Sequence, residues 1–309
     1  MALHVIVGKG PVGSTTAEEL AVRGHEVRVL SRSGGASTAT VEHRQVDATD
    51  AGALAAAAAG AAALYNAVNP AYHRWATDWP PVAAALLAAA ERTGAVLVTM
   101  GNLYGYGRPD GPMTPDSPLA ATDTKGRVRA RMWADALAAQ EAGRVRVTEA
   151  RAADFVGPQV PGDHSHLVRQ LPTIRRGRRA WVVGDPDALR SWSYLPDVAA
   201  TLATLGTDER ALGHAWHVPN NAPRSQRQAI ADLAAAMGVA APKVSSLPWP
   251  VLSALGIGLP FLREVVDVRH QFDQDFVSDG TATTATFGLP ATPWATVTAT
   301  TVGALTPTA

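Results

Sequence analysis

A chain of 309 residues, 47% hydrophobic and 17% charged, has the volume for one large or two modest domains and needs no covalent staples. Its 27 Lys and Arg balance 27 Asp and Glu, so no net field recruits nucleic acid or an anionic membrane, and a small-molecule substrate is expected. The absence of cysteine excludes disulfides, thiolate metal sites and a thiol nucleophile, and suits a cytoplasmic protein.

The first predicted strand, over 3–7, runs straight into Gly8-Lys9-Gly10-Pro11-Val12-Gly13, and nothing before it reads as a signal peptide. The G-x-G-x-x-G spacing between a strand and a helix over 12–23 predicts a dinucleotide cradle. Gly8 permits the tight turn, Gly10 lets the backbone approach a pyrophosphate, Gly13 allows close helix packing, and the helix N-terminus faces the anion. A second strand, over 26–30, ends at Ser31-Arg32-Ser33, where an acidic residue would bond the ribose hydroxyls of NAD. Arg32 can instead pair with a 2′-phosphate in bidentate fashion, Ser31 can donate to it and Lys9 can add charge, so NADP is expected, with NAD as the other reading. After a third strand, over 41–45, Asp47 is a candidate acceptor for the adenine amino group, and Asp50 an expected cap of a helix over 50–59.

Strands over 63–66, 95–99 and 144–151 alternate with helices over 81–92 and 125–142. This pattern predicts an α/β protein with a Rossmann-type doubly wound parallel sheet. The longest apolar stretches, 51–63 and 82–90, are shorter than the roughly 20 residues a bilayer span takes. Beyond Gly157-Pro158 the pattern loosens into Pro/Gly-punctuated segments. A dinucleotide-binding domain over 1–157, taking further strands near 180–183 and 215–218, with a smaller interleaved C-terminal substrate lobe over 158–179 and 219–309, is the organisation expected. An apolar run, Trp249, Leu252, Leu255, Ile257, Leu259, Phe261 and Leu262, reads as core or as the wall of an apolar or aromatic pocket.

The glycine turn, Asp47, the strand end Val98-Thr99-Met100-Gly101-Asn102-Leu103-Tyr104-Gly105, the segment 151–158 and Arg190-Ser191-Trp192-Ser193-Tyr194-Leu195-Pro196-Asp197-Val198-Ala199 together carry a resemblance. The chain resembles the extended and atypical short-chain dehydrogenase/reductases, the NAD(P)-dependent epimerase/dehydratase group, over nearly its whole length. The resemblance implies a Rossmann core, a small C-terminal substrate lobe and a pocket between them at the carboxyl ends of the strands. It also implies a Ser or Thr after the fifth strand and a Tyr-x-x-x-Lys pair on the next helix, whose positions here hold Met100, Thr124 and Val128. None of Tyr65, Tyr72, Tyr104, Tyr106 and Tyr194 has a lysine four residues on, so the usual proton-transfer set is absent.

Three residues are candidates to replace it. Tyr104, on the loop leaving the fifth strand, can donate a proton to a carbonyl as hydride arrives, and Asn102 can hold that oxygen. Lys125 can bind the cofactor ribose or polarise the substrate; the plainer readings are a packed Tyr104 and an exposed Lys125. Tyr106, Asp154, His164 and Arg190 are the expected substrate contacts. Asp154 is a general acid if burial raises its pKa, or a turn cap. Arg190 matches a position that grips a diphosphate in nucleotide-sugar members, or it pairs with Asp187. His164 and His166 lack a third ligand, so no metal is expected. Asp197 reads as the N-cap of a helix over 198–205.

Three functions follow. The first is an NADP(H)-dependent oxidoreductase reducing a carbonyl or activated C=C of a small organic molecule. The second is a nucleotide-sugar epimerase or dehydratase with bound NAD(P), and the third a cofactor-binding sensor or scaffold without catalysis. The helix over 125–142 builds homodimers in the resembling group; Arg127, Arg129 and Arg131 equally suit a solvated face.

Overall fold

The computed structural model describes residues 1–256 and 265–304, so Ile257, Leu259, Phe261 and Leu262 lie outside the described residues. Two compact units are distinguished: unit 1 comprises Met1–Tyr106, Pro115–Ala152 and Val198–Val218, and unit 2 comprises Gly107–Thr114, Ala153–Asp197 and Pro219–Ala309.

Unit 1 is built on strands β1 (Leu3–Val7), β2 (Glu26–Ser31), β3 (Val41–Gln45), β4 (Ala61–Asn66), β5 (Val96–Asn102) and β6 (Val147–Ala152), with the strand Ala215–His217 at one edge. They form one seven-stranded sheet in the order Ala215–His217, β6, β5, β4, β1, β2, β3. Every pair in it is parallel. The chain starts in the middle and winds outward both ways, so the strand order reverses between β1 and β4 and opens a crevice at their carboxyl ends. Helices α1 (Pro11–Val22), α2 (Ala51–Ala57), α3 (Trp75–Thr93) and α4 (Thr124–Glu141) connect the strands. Val5, Val7, Leu54, Leu64, Leu86, Leu97 and Val147 join one core cluster, the reason the inner strands read as near-continuous apolar runs.

Helix α3 begins six residues before the predicted start because Pro80 and Pro81 lie inside it. Prolines remove two helical hydrogen bonds there. The first turn is held instead by Trp75 and Trp79, which are buried and pack edge to face with centroids 6.2 Å apart. Asp50 caps α2 as expected, accepting from the amides of Gly52 and Ala53 at 2.9 Å.

Unit 2 carries three small strand pairs. Asp154–Val156 runs parallel to Trp192–Tyr194, Ala180–Val183 parallel to Val244–Leu247, and Leu189–Arg190 antiparallel to Arg224–Ser225. The strand at 180–183 therefore does not extend the large sheet, a correction to the sequence reading; its partner strand follows the helix Gln226–Ala236, a connection invisible to local pattern. Asp197 is likewise not an N-cap: the helix spans Leu195–Leu205, and the Asp197 carboxylate accepts from the Thr292 amide at 2.8 Å and hydroxyl at 2.6 Å. Burial raises its pKa, against the opposing pull of those two bonds. No helix among the described residues is long and apolar enough to cross a membrane.

Candidate functional site

The glycine turn closes as its spacing requires. Gly8 has φ +112° and donates from its amide to the Leu30 carbonyl at 2.8 Å, tying the end of β1 to β2. A β-carbon on Gly13 would lie 1.9 Å from the Gly8 carbonyl oxygen, so only glycine lets α1 start this close to the strand. A β-carbon on Gly10, the N-cap of α1, would meet nothing within 4 Å. The backbone at Gly10 thus faces open space beside a helix N-terminus, as a pyrophosphate requires, and with Pro11 and Val12 starting the helix these residues fit a dinucleotide.

The groups expected to choose the cofactor gather at the end of β2. Lys9 Nζ donates to the Gly34 carbonyl at 2.8 Å, and Ser31 Oγ donates to the same oxygen at 3.1 Å. Arg32 is exposed, and its charge acts on Asp47. The Asp47 carboxyl is held below its usual range chiefly by hydrogen bonds from the Thr49 amide and hydroxyl, both 2.9 Å, with Arg32 a smaller contribution.

Beyond β5 the chain turns sharply. Asn102 Oδ1 accepts from the Tyr104 amide at 3.1 Å, which shapes the loop, and a β-carbon on Gly126 would lie 2.5 Å from the Tyr104 carbonyl oxygen. Glycine there lets the first turn of α4 close onto the loop. Asp123 caps that helix by accepting from the Gly126 amide at 2.8 Å. Lys125, in the same turn, is only 2% exposed, so it is not the solvated lysine its charged neighbours suggest. Its Nζ lies 4.5 Å from the centre of the Tyr72 ring, and the Tyr72 hydroxyl donates to the Tyr104 hydroxyl at 3.3 Å. Tyr72, which follows β4, thus joins two of the candidates.

Met100 is buried, and neither Thr124 nor Val128 offers a phenol or an amine. Arg129 is not solvated. It donates to the Met100 carbonyl at 3.2 Å and lies between Trp75 and Trp79, 4.7 and 4.3 Å from their ring centres. Burial lowers its pKa to about 10, opposed by the charges of Glu149 and Tyr104. A cavity of about 640 Å³ between α3 and α4 is lined by Thr124, Val128, Trp133 and Glu149. It touches none of Gly8 to Gly13, Tyr72, Tyr104 or Lys125, so it is separate from the glycine turn.

Tyr106 is a correction. Expected to contact substrate, it is 3% exposed, and its hydroxyl lies 2.6 Å from His217 Nε2 while accepting from Arg151 at 2.6 Å. Arg151 in turn donates to Glu149 at 2.6 Å. The tyrosine therefore completes a buried network across β6 and its neighbour, and burial raises its pKa. Two charges at i and i+2 within a wholly buried strand, Glu149 and Arg151, were the sequence signal for it.

In unit 2, Asp154 and Arg190 pair with each other at 2.6 Å. Asp187 takes Arg227 instead, at 2.7 Å, so the ion pair suggested for Arg190 within its own loop is replaced by one across two strands. The Arg190 guanidinium packs 4.9 Å from the Phe272 ring centre and 5.4 Å from that of Trp192. His164 is exposed, whereas His166 packs edge to face on Phe272 at 5.0 Å. Burial pushes the His166 pKa down to about 4, partly offset by Asp154. Phe272 escaped the sequence reading, and His166, Tyr72 and Arg129 were named there without these contacts, because the contacts depend on partners far along the chain.

The model of the NAD dependent epimerase/dehydratase family matches residues 5–218. No curated protein sequence matches the chain. Similar solved structures include UDP-glucose 4-epimerase of Thermotoga maritima with UDP-glucose, at 16% identity and TM-score 0.79 over 98% of both chains. The dTDP-glucose 4,6-dehydratase DesIV of Streptomyces venezuelae, a double mutant with NAD bound, has 19% identity and TM-score 0.76 over 98% of this chain and 96% of its own. A putative epimerase of Burkholderia cenocepacia J2315 has 21% identity and TM-score 0.75 over 98% and 97%.

Proposed function

The chain belongs to the NAD dependent epimerase/dehydratase family, and from that premise we propose that it transforms a nucleotide sugar by oxidation and reduction at a carbinol carbon. Gly8 to Gly13 would hold the coenzyme pyrophosphate, and the end of β2 its adenosine ribose. Held there, the coenzyme would supply reversible hydride acceptance for the sugar carbon. Tyr104 would exchange the hydroxyl proton of that carbon, Asn102 would help orient its oxygen, and Lys125 would supply the positive charge that favours the tyrosinate.

One observation carries the choice of a nucleotide sugar. Arg190 is 5% exposed, and its Nε has no hydrogen-bond partner among the described residues, so a buried guanidinium retains a donor for a phosphate oxygen. The UDP-glucose held by the Thermotoga maritima epimerase supports the same class. Reduction of a free carbonyl or activated C=C, the first expectation from sequence, has less support. On the coenzyme, the NAD in DesIV supports NAD, whereas exposed Arg32 beside Lys9 supports the 2′-phosphorylated form; a nicotinamide dinucleotide is common to both.

The test is to release and weigh the bound dinucleotide, then incubate the protein with UDP-glucose and dTDP-glucose and follow the sugar by NMR. A changed sugar with the coenzyme regenerated is expected. Oxidation of NADPH by aldehydes or quinones, with neither nucleotide sugar bound in calorimetry, would overturn the reading in favour of a reductase.

A further inference from the structure

Lys125 is in the wrong place for an ordinary lysine. It lies in the first turn of α4, where the helix dipole disfavours a cation, and it is 2% exposed. A buried charge against the local field is retained where its interactions compensate. One of them is the face of the Tyr72 ring at 4.5 Å, within the range of a cation–π contact. The ring is fixed from its other sides by Trp75, edge to face at 5.2 Å, and Trp75 also lies against the Tyr104 ring at 5.7 Å. The three aromatic side chains leave the two hydroxyls 3.3 Å apart, with Tyr72 as donor and Tyr104 as acceptor.

We propose that Tyr72 is a positioning residue for proton transfer: it passes the charge of Lys125 on to Tyr104 and does the work of the lysine that the chain lacks at Val128. The proposal rests on the reading above in which Tyr104 exchanges a proton with the substrate. A cation over a phenol ring stabilises electron density in that ring and makes its hydroxyl a stronger donor. The stronger donor stabilises negative charge on the Tyr104 oxygen. When the substrate hydroxyl loses its proton, the O–H bond of the sugar breaks, one forms on the Tyr104 oxygen, and the same proton returns as the carbonyl is reduced. Tyr72 keeps its own proton throughout. A separation of 3.3 Å is long for two neutral hydroxyls and shortens when the acceptor is an anion, to about 2.6 Å.

Arg129, packed against Trp75 and Trp79, acts on Tyr104 with the same sign as Lys125, and Glu149 acts on Arg129 with the opposite sign. Removal of the Tyr72 hydroxyl takes away its bond to Tyr104 and leaves Arg129 and Glu149 in place.

The experiment uses the full chain labelled at the ζ-carbon of its five tyrosines, titrated by carbon NMR without substrate, with the Tyr104 resonance assigned by its loss in Tyr104→Phe. In Tyr72→Phe, which keeps the ring, its Trp75 contact and its place under Lys125, the ionisation midpoint of Tyr104 is expected to rise by about one pH unit. Lys125→Met is expected to raise it as well, and Lys125→Arg to restore it; thermal unfolding identifies any variant that has lost the fold. With sugar turnover established, the rising limb of the kcat profile in Tyr72→Phe should move to higher pH by the same amount, with KM unchanged. An unmoved Tyr104 midpoint in folded Tyr72→Phe overturns the relay, whatever the turnover does. A moved midpoint with wild-type turnover in Tyr104→Phe overturns instead the proton role of Tyr104, and with it the catalytic meaning of the relay.

Discussion

The Tyr106 hydroxyl stands 2.6 Å from His217 Nε2, two side chains separated by 111 positions in the chain and both buried at the edge of the parallel sheet. Because the same oxygen accepts from Arg151, removing it takes one hydrogen-bond partner from a buried guanidinium and one from a buried imidazole. Tyr106→Phe is therefore expected to cost about 1–3 kcal/mol of stability, read from urea unfolding. Coenzyme affinity should be unchanged in calorimetry; a large loss of affinity at unchanged stability would return Tyr106 to the binding surface.

Gly10 and Gly13 separate binding from folding. In Gly10→Ala the new methyl meets no protein atom within 4 Å, so stability should fall only by about 0.5–1 kcal/mol, the cost of alanine at an N-cap. The methyl enters the space assigned to the pyrophosphate, and coenzyme affinity should drop at least about tenfold, which is 1.4 kcal/mol. In Gly13→Ala the methyl would press on the Gly8 carbonyl oxygen at 1.9 Å, and both stability and affinity should suffer. Fluorescence titration with reduced coenzyme, beside thermal unfolding, reads the contrast; unaltered affinity in Gly10→Ala would remove the cradle from this turn.

Arg32 tests the choice of coenzyme. A charge-assisted contact to a 2′-phosphate contributes about 1.5–3 kcal/mol, so Arg32→Ala should weaken NADP binding roughly ten- to a hundredfold and leave NAD binding nearly as it was. Competition between the two coenzymes in one calorimetry series checks this, and equal losses for both would show that Arg32 does not read the phosphate.

His4 predicts an acid weakness. It is wholly buried in β1, with Nδ1 2.9 Å from the Tyr65 hydroxyl, and burial, reinforced by His25, pushes its pKa down to about 4. The unfolded chain, near the ordinary 6.5, binds a proton between those values that the folded chain refuses. Stability is thus full above pH 6.5 and falls as the pH drops toward 4, by up to about 1.4 kcal/mol per unit. His166, also pushed down to about 4, adds a loss in the same direction. In His4→Asn the decline between pH 6.5 and 4.5, followed by urea unfolding, should become clearly shallower; an unchanged slope would mean that His4 is protonated in the fold.

Much of unit 1 was legible from local chemistry. The strand–glycine–helix opening, the alternation through β6 and the Asp50 cap each depend on residues within a turn or two of one another, where backbone sterics and periodicity act. The missing Tyr-x-x-x-Lys pair was equally plain, since a residue's absence needs no coordinates.

The candidates for that role were legible, but their surroundings were not. Lys125 was a candidate from sequence, with an exposed lysine as the plainer reading, and the closure of α4 on the loop at Tyr104, permitted by Gly126, buries it against a tyrosine 53 positions away. Arg190 found Asp154 and not Asp187, and Tyr106 found His217, through pairings that cross strands. The sequence by itself determined the parallel sheet and the glycine turn, because these follow from short-range sterics and from the period of apolar residues. Tertiary structure alone decided which polar groups face each other, because desolvation and Coulomb energies depend on distances in space that separation along the chain does not set.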